Sequence, residues 1–369
     1  MNIGILIGNT GNIRSGIGNY IFNLINQLKN NREINITLIA HKKTPEFENI
    51  NEIFPNYPAI RYNSILWSNI ISVQRQCFSG LDIIHNPAHF PLLRKPGKKY
   101  ISTIHDLTAV INPEWHQLHR VISTKFLLPK LILDSERIIT ISHHSKNDLI
   151  RYYRVPEQKI DVTYLGASKN YTKLDDQIVN SIKKKYNLNF PFVLSVGTLE
   201  PRKNIPSLIR AFALIRKKIP ELKLVIVGQK GWGYANIFRM LTDLNLVQDV
   251  IFLQYLPHED LPAIYNAAAL FVYPSLYEGF GLPPLEAMQC GIPVITSNTS
   301  SLPEIMGDSG IMVDPLDIDD LADKMSLLLT DDQLRRENIR YNLSRSRQFS
   351  WEKCAQQTTE IFKDVCNKT

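Results

Sequence analysis

The sequence predicts an α/β protein with two doubly wound parallel-sheet domains. Short apolar, β-branched runs alternate with longer amphipathic runs along the whole chain. This alternation is typical of parallel sheets that are covered by helices on both faces. The chain has 369 residues, which is long for one hydrophobic core and favours two domains. A polar stretch near residues 167–190 has no strand pattern and separates two series of strands.

Each series contains six candidate strands with helical patterns between most of them. In the first series, strands are expected at 3–8, 34–40, 81–86, 99–106, 137–142 and 159–166. In the second, they are expected at 192–197, 222–228, 249–255, 270–275, 292–297 and 309–314. Helices are expected at 17–30, 143–153, 204–217, 234–244, 259–268, 284–290 and 317–329. We therefore predict an N-terminal domain over residues 1–166 and a C-terminal domain over residues 167–349.

The composition excludes several classes of protein. Hydrophobic residues make up 44% and charged residues 21% of the chain, an ordinary balance for a soluble globular protein. No apolar run approaches the ~18–20 residues that span a bilayer. The opening MNIGILIGNTG predicts a buried first strand rather than a signal peptide. The four cysteines (Cys77, Cys290, Cys354 and Cys366) lack C-x-x-C spacing, which predicts reduced thiols, no structural zinc and a cytoplasmic location.

The positive charge is concentrated in the N-terminal half. Residues 1–165 contain 19 Lys and Arg against 12 Asp and Glu, whereas the remainder is balanced. The excess is either ordinary solvated surface or a face for anionic lipid or a phosphorylated acceptor. The run RKPGKK (94–99) and the segment VISTKFLLPKLIL (121–133) favour a membrane surface, although Pro129 and burial against a sheet would argue against the second. Nucleic acid is not expected, because no aromatic-interleaved basic motif is present.

The first strand–helix junction contains the glycine-rich stretch GNTGNIRSGIGNY (8–20). In open α/β sheets, ligands bind beyond the carboxyl ends of the strands. Gly16 and Gly18 precede a helical pattern, so backbone amides and the positive helix end could meet a phosphate. A dinucleotide fingerprint would need a third glycine where Ile21 stands, which disfavours a nicotinamide or flavin enzyme. A tight turn beneath the helix is the structural alternative.

Two junctions in the second half carry charged residues. In VGTLEPRKN (196–204), Arg202 and Lys203 stand just before a helical pattern, an arrangement that suits a diphosphate. In YEGFGLPPLEA (277–287), Glu278 precedes a loop and Glu286 lies in the first turns of the next helix. The loop residues can offer backbone N–H groups to an oxyanion or a hydroxyl; they are Gly279, Phe280, Gly281 and Leu282.

The two glutamates are not expected to form a close pair. Glycosidase carboxyl groups lie ~5–9.5 Å apart across one bond, whereas a loop and part of a helix separate Glu278 from Glu286. Two acids with amides between them suit a long ligand with hydroxyls at both ends and phosphates in the middle, such as a nucleotide sugar. The structural alternative is a helix-dipole charge at Glu286 and an unrelated loop charge at Glu278.

These motifs together closely resemble the retaining glycosyltransferases of family 4, which have the GT-B fold of two Rossmann-like domains facing across a cleft. The resemblance covers almost the whole chain and includes SGIGNY, IHDL, ISHHSKNDL, PRKN, the Glu-x7-Glu segment EGFGLPPLE, and FSWEKCA. It implies that a C-terminal helix at about 350–369 packs back on the first domain. It also implies a nucleotide-sugar donor and no cofactor or metal.

The resemblance assigns roles to individual residues. Lys203, with Arg202 beside it, would bind the donor diphosphate. Glu278 would contact the transferred sugar and Glu286 the ribose hydroxyls. His105 would line the sugar site, and Gly16 would lie over the diphosphate or the acceptor.

Several other residues bear on this assignment. Thr198 stands where many relatives have an arginine, so Arg202 and Lys203 would hold the diphosphate alone. The other histidines are expected to be structural: His143 and His144 would cap a helix, and His85 and His89 would flank a loop. Of the last two, His85 is expected to reach the cleft more readily. The acidic triplet at 317–319 is expected to cap a helix rather than to bind a metal.

The expected reaction is transfer of a hexose with retention of configuration. The motifs IHDL and LYEGFGLPPLEAM most resemble those of mannosyltransferases that use GDP-mannose. A UDP-sugar is the next most favoured donor. The acceptor would be a saccharide, lipid-linked or soluble, in surface-polysaccharide assembly, and the basic first domain could lie on the inner face of the plasma membrane. A sugar-nucleotide epimerase, a glycoside hydrolase and a non-catalytic nucleotide-binding module are the alternatives.

Overall fold

The protein consists of two compact units, each built around one parallel β-sheet. The structure is a computed structural model that describes residues 1–8, 16–40, 44–47, 50–53, 78–88, 97–254 and 256–367. Unit 1 comprises Met1–Leu165 and Ser350–Thr369, and unit 2 comprises Gly166–Phe349. Some predicted features lie outside the described residues: most of the glycine-rich loop (9–15), Cys77, His89 and the first half of the basic run (94–96).

Unit 1 contains a seven-stranded sheet. Its strands are β1 Asn2–Gly8, β2 Asn35–Ala40, β3 Asn51–Ile53, β4 Ile83–Asn86, β5 Lys99–Ile104, β6 Arg137–Thr140 and β7 Ile160–Val162. They are ordered β3-β2-β1-β4-β5-β6-β7, and every neighbouring pair is parallel. Among the described residues, the helices before the crossing to unit 2 are α1 Gly16–Leu28, α2 Thr108–Ile111, α3 Leu118–Asp134 and α4 His143–Tyr153.

Unit 2 repeats this architecture with six strands. They are β8 Phe192–Val196, β9 Lys223–Val227, β10 Val250–Leu253, β11 Leu270–Tyr273, β12 Val294–Ser297 and β13 Ile311–Val313, in the order β10-β9-β8-β11-β12-β13. Its helices are α5 Asp176–Lys185, α6 Ile205–Arg216, α7 Ala235–Asp243, α8 Leu261–Ala267, α9 Leu282–Gln289, α10 Leu302–Met306, α11 Ile318–Thr330 and α12 Asp332–Ser346. In both sheets the strand order reverses beside the first strand of the unit, as in doubly wound folds.

The periodicity predictions are confirmed, apart from small differences at element ends. All twelve predicted strands are present, because each is a short run of apolar residues that the sheets bury on both faces. Strand β3 was not predicted. Its sequence, Asn-Glu-Ile, is only three residues long and partly exposed at the edge of the sheet, so it has no apolar run to reveal it.

The last helix, α13 (Trp351–Asn367), belongs to unit 1. The rings of Trp351 and Tyr20 on α1 have centroids 6.3 Å apart, and the fully buried Phe362 meets the His85 ring edge-on at 5.4 Å. Lys99 Nζ donates to the carbonyls of Val365 and Cys366 at 2.8 and 3.1 Å. A cation at the carbonyl end of a helix is favourable because it satisfies acceptors that have no partner within the helix.

No helix among the described residues is both long enough and apolar enough to cross a membrane.

Candidate functional site

The site in unit 2 begins where β8 and β9 end. A Cβ atom at Gly228 would lie 2.0 Å from the carbonyl oxygen of Gly197, so only glycine allows these two strand ends to approach so closely. After β8 the chain forms a short 3-10 turn, Pro201–Lys203, which places two cations directly before α6. The predicted strand–helix junction therefore lies where the sequence indicated, with both cations between β8 and α6.

Arg202 and Lys203 both pair with the carboxylate of Glu278. Lys203 Nζ donates to Oε1 of Glu278, and Arg202 Nη1 donates to Oε2, each at 2.6 Å. Arg202 also pairs through Nε with Glu200 at 2.5 Å. Glu278 and Lys203 are buried. The site thus contains a cluster of two cations and two carboxylates, in which Arg202 and Glu200 are partly buried and Glu278 contacts both cations.

The cations determine the protonation state of Glu278. Burial alone would raise the pKa of its carboxyl group, but Arg202 and Lys203 lower that pKa to about 2. The pKa of Lys203 is lowered from its ordinary value, first by burial and then by repulsion from Arg202, while Glu278 opposes this shift. Glu278 is therefore ionised at neutral pH, because two positive groups replace the water that its charge has lost.

Neighbouring hydroxyl groups fix Glu278 in position. The Tyr273 hydroxyl, at the end of β11, donates to Glu278 Oε1 at 3.0 Å and accepts from Lys203. The backbone N–H of Glu278 donates to Ser300 Oγ at 2.9 Å, and the hydroxyl of Ser301 donates to the carbonyls of Glu278 and Phe280. The sequence reasoning missed these three residues. Tyr273 could have been found as the last residue of a strand in YPS, but nothing in the sequence marked the serines.

The loop after Glu278 is held by buried apolar contacts. Gly281 has φ of +120°, and a Cβ atom there would lie 2.7 Å from a methyl group of Leu302, so glycine is required. Phe280 is buried against Phe349, with ring centroids 5.9 Å apart. Within the described chain, the backbone N–H groups of Gly279 and Gly281 donate to no acceptor, which leaves them able to bind one. Helix α9 then begins at Leu282, with prolines in its first turn as predicted.

Glu286 lies in a different environment from Glu278. It is buried in α9, and its carboxyl group accepts a hydrogen bond from the Tyr265 hydroxyl at 2.9 Å and another from Tyr171. Burial raises the pKa of Glu286 to about 7, although both hydroxyl groups oppose the shift. Burial also raises the pKa of Tyr171 and Tyr265, so both remain protonated donors. No cation is paired with Glu286 among the described residues, which is why its carboxyl group is far less acidic than that of Glu278.

Tyr171 was not predicted to belong to the site. It lies in the polar stretch that separates the two strand series, and its ring packs edge-on against Tyr265 with centroids 5.7 Å apart. The same stretch is tied to α8, because Leu174 N donates to Asn266 Oδ1 and Asn266 Nδ2 donates to Thr172 O, both at 2.9 Å. Hydrogen bonds between positions so distant in the sequence leave no local pattern.

His105 is held in unit 1 by two backbone contacts. Its Nε2 lies 2.8 Å from the carbonyl of Pro87, so this nitrogen carries the proton, and Ser145 Oγ donates to the His105 carbonyl at 3.0 Å. Burial lowers the pKa of His105, while the Pro87 carbonyl and Asp106 oppose the shift. His105 is therefore a neutral imidazole at neutral pH.

His85 is a structural residue, as predicted: it is fully buried on β4, its Nε2 bonds to Thr103 at 2.9 Å, and burial lowers its pKa to about 3. Its comparison with His89 stays a prediction, because His89 lies outside the described residues. The prediction for the next two histidines is wrong. His143 and His144 do not cap α4. The cap is Ser142, whose hydroxyl accepts from Ser145 N at 3.1 Å. Serine is a favoured cap because its short side chain reaches the free N–H groups of the first turn.

Other predicted residues have plainer positions. Gly16 is the exposed first residue of α1, and a Cβ atom there would meet nothing within 4 Å. Asp317 caps α11 as predicted, accepting from Asp320 N at 2.9 Å. Cys290, Cys354 and Cys366 are free thiols. Among the described residues, no group of three or more His, Cys, Asp or Glu side chains is arranged to hold a metal ion, and metal independence stays a prediction.

Solved structures share the fold over the full length of the chain. Sucrose-phosphate synthase from Thermosynechococcus elongatus superposes with a TM-score of 0.81 at 21% identity, over 100% of both chains. WaaG, a glycosyltransferase involved in lipopolysaccharide biosynthesis, superposes with a TM-score of 0.74 at 14% identity, over 98% of this chain and 99% of that one. The predicted GT-B fold is confirmed by these superpositions.

The sequence comparisons show the family. Residues 14–170 match the model for Glycosyltransferase Family 4, and residues 177–345 match that for glycosyl transferases group 1. The chain is 33% identical to O-antigen chain mannosyltransferase B of Escherichia coli, over 95% of this chain and 96% of that protein. It is also 32% identical to the serotype-specific mannosyltransferase WbdA of Escherichia coli, over 72% of this chain but 33% of that longer protein. The chain therefore belongs to glycosyltransferase family 4.

The raised pKa of Glu286 predicts a pH-dependent effect of one substitution. The carboxyl pKa is about 7 in the folded protein against an ordinary 4.5, so the folded state binds more protons between these values and loses stability as pH rises through them. Glu286→Gln removes the buried charge. We expect it to stabilise the protein at pH 8 by up to about 3 kcal/mol relative to its effect at pH 5.

Urea denaturation at the two pH values measures this difference. The matched control is Glu221→Gln, because Glu221 is exposed and its substitution should have the same small effect at both. Equal effects of Glu286→Gln at pH 5 and pH 8 would contradict the assignment of a neutral buried carboxyl group.

Proposed function

We propose that the protein transfers mannose from GDP-mannose to a saccharide acceptor, lipid-linked or soluble, with retention of configuration and without a metal ion. The similarity along nearly the full length to a protein named O-antigen chain mannosyltransferase B supports mannose as the sugar and surface-polysaccharide assembly as the setting. The free thiols of Cys290, Cys354 and Cys366 suit a reducing compartment, so we place the reaction in the cytoplasm, with the basic unit 1 at the inner face of the plasma membrane.

The buried cluster of Glu278 with Arg202 and Lys203 is the observation that carries the proposal. Two adjacent cations directly before a helix form a binding site for a diphosphate, through point charge and through the planar donor fork of arginine. In the structure, the carboxylate of Glu278 pairs with both cations. An arriving diphosphate would compete for them and free the carboxylate of Glu278 to accept hydrogen bonds from the hydroxyls of the sugar.

The chemistry of the transfer needs charge stabilisation at the leaving group. The bond between the anomeric carbon and the diphosphate oxygen breaks, and a bond from the acceptor oxygen to the anomeric carbon forms on the same face. The proton of the acceptor hydroxyl passes to an oxygen of the departing diphosphate. Arg202, Lys203 and the loop amides of Gly279–Leu282 would stabilise the negative charge that develops there.

Two further residues would hold other parts of the substrates. Glu286 would bind the ribose hydroxyls, and because its carboxyl pKa is about 7, it would carry only part of a negative charge at neutral pH. His105 would line the sugar site as a neutral imidazole with a fixed tautomer, which suits a group that orients hydroxyls rather than one that removes a proton. Gly16 would lie over the diphosphate or the acceptor.

A thermal-shift series with GDP, UDP, ADP and dTDP tests the donor. A nucleotide present at 100 times its Kd stabilises the folded protein by about 2.7 kcal/mol. We expect GDP to raise the Tm most, and transfer of mannose from GDP-mannose to follow. A larger shift with UDP would contradict the GDP assignment, and release of a free epimerised sugar would support an epimerase instead.

The stereochemistry and metal requirement are tested on the same reaction. We expect NMR of the product to show the anomeric configuration of the donor, and activity to persist in excess EDTA. An inverted product would exclude retention. A complete loss of activity in EDTA that manganese restores would overturn the metal-free mechanism.

Separate substitutions should distinguish the two glutamates. The ribose does not change during the reaction, so Glu286→Ala should weaken the donor and free GDP alike. The sugar gains positive charge at the transition state, so Glu278→Ala should lower kcat while GDP binding is retained. Calorimetric titration of GDP and steady-state rates measure both effects.

The control for this pair is Glu221→Ala, which should change neither quantity because Glu221 is exposed on unit 2. Loss of GDP binding in Glu278→Ala, together with retained binding in Glu286→Ala, would show that the two roles are reversed along the ligand.

A further inference from the structure

Helix α3 presents large apolar side chains to the surface of unit 1. Leu118, Ile122, Phe126 and Leu133 expose 73%, 47%, 77% and 75% of their areas. Their spacing of four, four and seven positions places them along one face of the helix, a set that we term the α3 stripe. Single exposed apolar residues are ordinary on soluble proteins, whereas a contiguous row of them marks an interaction surface.

A separate face of α3 anchors the helix to the protein. Val121, Leu128, Leu131 and Ile132 are buried, and the last three belong to the core cluster that contains Ile104, Leu107, Ile138, Leu149, Val155 and Ile160. The α3 stripe therefore takes no part in this core. The helix is apolar on two faces, and the residues that the structure describes cover one of them.

Cations border the α3 stripe on both sides. At about 100° per residue, Lys125 falls on one margin and Lys130 on the other, and both are exposed. Lys130 Nζ forms an ion pair with Asp134 at 3.3 Å. Two further carboxylates, Glu114 and Glu136, are exposed beyond the two ends of the helix. Arg120 is also exposed on α3, and the whole of unit 1 has an excess of positive charge, with 19 Lys and Arg against 12 Asp and Glu in residues 1–165.

Lys98 and Lys99, the described lysines of the basic run RKPGKK, form hydrogen bonds within unit 1. Lys98 Nζ donates to the carbonyl of Leu81 at 2.7 Å, and Lys99 Nζ donates to the end of α13. Both ammonium groups therefore have structural partners. The cations that border exposed apolar surface are those of α3.

We propose that the α3 stripe docks unit 1 on an anionic lipid bilayer. Its apolar side chains would enter the boundary between headgroups and acyl chains, while Lys125 and Lys130 would remain among the anionic headgroups. A second copy of the chain fits less well, because two stripes packed face to face would bring their bordering cations together. This inference deepens the membrane placement in the proposed function and rests on it for its purpose, which is to bring the enzyme to a lipid-linked acceptor.

Vesicle flotation of the full chain tests the proposal without any transfer reaction. We expect binding to phosphatidylcholine vesicles that contain about 30 mol% phosphatidylglycerol, weaker binding without the anionic lipid, and release by salt. Phe126→Ser combined with Leu133→Ser should lower the vesicle partition coefficient about tenfold or more, because two large apolar contacts are lost. Lys125→Gln combined with Lys130→Gln should weaken binding to anionic vesicles only.

The matched control is Leu316→Ser combined with Leu327→Ser, because these leucines are exposed in unit 2 by 71% and 51% and should not affect vesicle binding. A Tm equal to that of the wild type, measured without any nucleotide, would show that the α3 variants are folded. Vesicle binding without any transferase activity would sustain this inference and reject the proposed function. Absence of wild-type binding, or equal binding by the Phe126→Ser/Leu133→Ser variant, would overturn it. So would a dimer, seen by light scattering, that this variant dissociates.

Discussion

The buried ion pairs of Glu278 with Arg202 and Lys203 are the constraint on which the site in unit 2 depends. Neighbouring cations repel each other, and their removal from water is costly unless a counter-charge replaces the lost hydration. Glu278 supplies that charge to both of them. The turn before α6, the end of β11 and the serines that follow β12 all contact this cluster, so the strand ends of the sheet converge on one carboxylate. An anionic ligand can supply the same counter-charge to the two cations.

The two glutamates of the Glu-x7-Glu segment show how the fold gives one residue type two chemical states. Glu278 is surrounded by cations and is ionised, whereas Glu286 is surrounded by tyrosines and has a carboxyl pKa of about 7. A nucleotide sugar has the matching order of groups, with charged phosphates between two neutral, hydroxyl-bearing sugars. Unit 1 makes a different contribution, since its net positive charge and the α3 stripe suit a surface rather than a small ligand.

The sequence predicted most of the fold but only part of the site. Buried parallel strands are short apolar runs, so periodicity located them; β3 escaped because it is polar and lies at an edge. Arg202, Lys203, Glu278 and Glu286 stand beside strand ends and could be named from motifs, yet the ion pairs join positions 75 apart along the chain. The tyrosine contacts of Glu286 could not be predicted, because Tyr171 lies in a polar linker. The cap of α4 was misjudged because Ser142 stands directly before the two histidines, at the same helix start.

A double-mutant cycle on GDP affinity tests the central claim most directly, with wild type, Lys203→Ala, Glu278→Gln and the double variant compared by calorimetry. If Glu278 occupies the cations until a diphosphate displaces it, Lys203→Ala should weaken GDP binding about tenfold to a hundredfold, whereas Glu278→Gln should retain or strengthen it. The benefit of Glu278→Gln should shrink when Lys203 is absent. Equal losses from the two single variants, or GDP affinity unchanged by Lys203→Ala, would contradict a diphosphate site at this cluster.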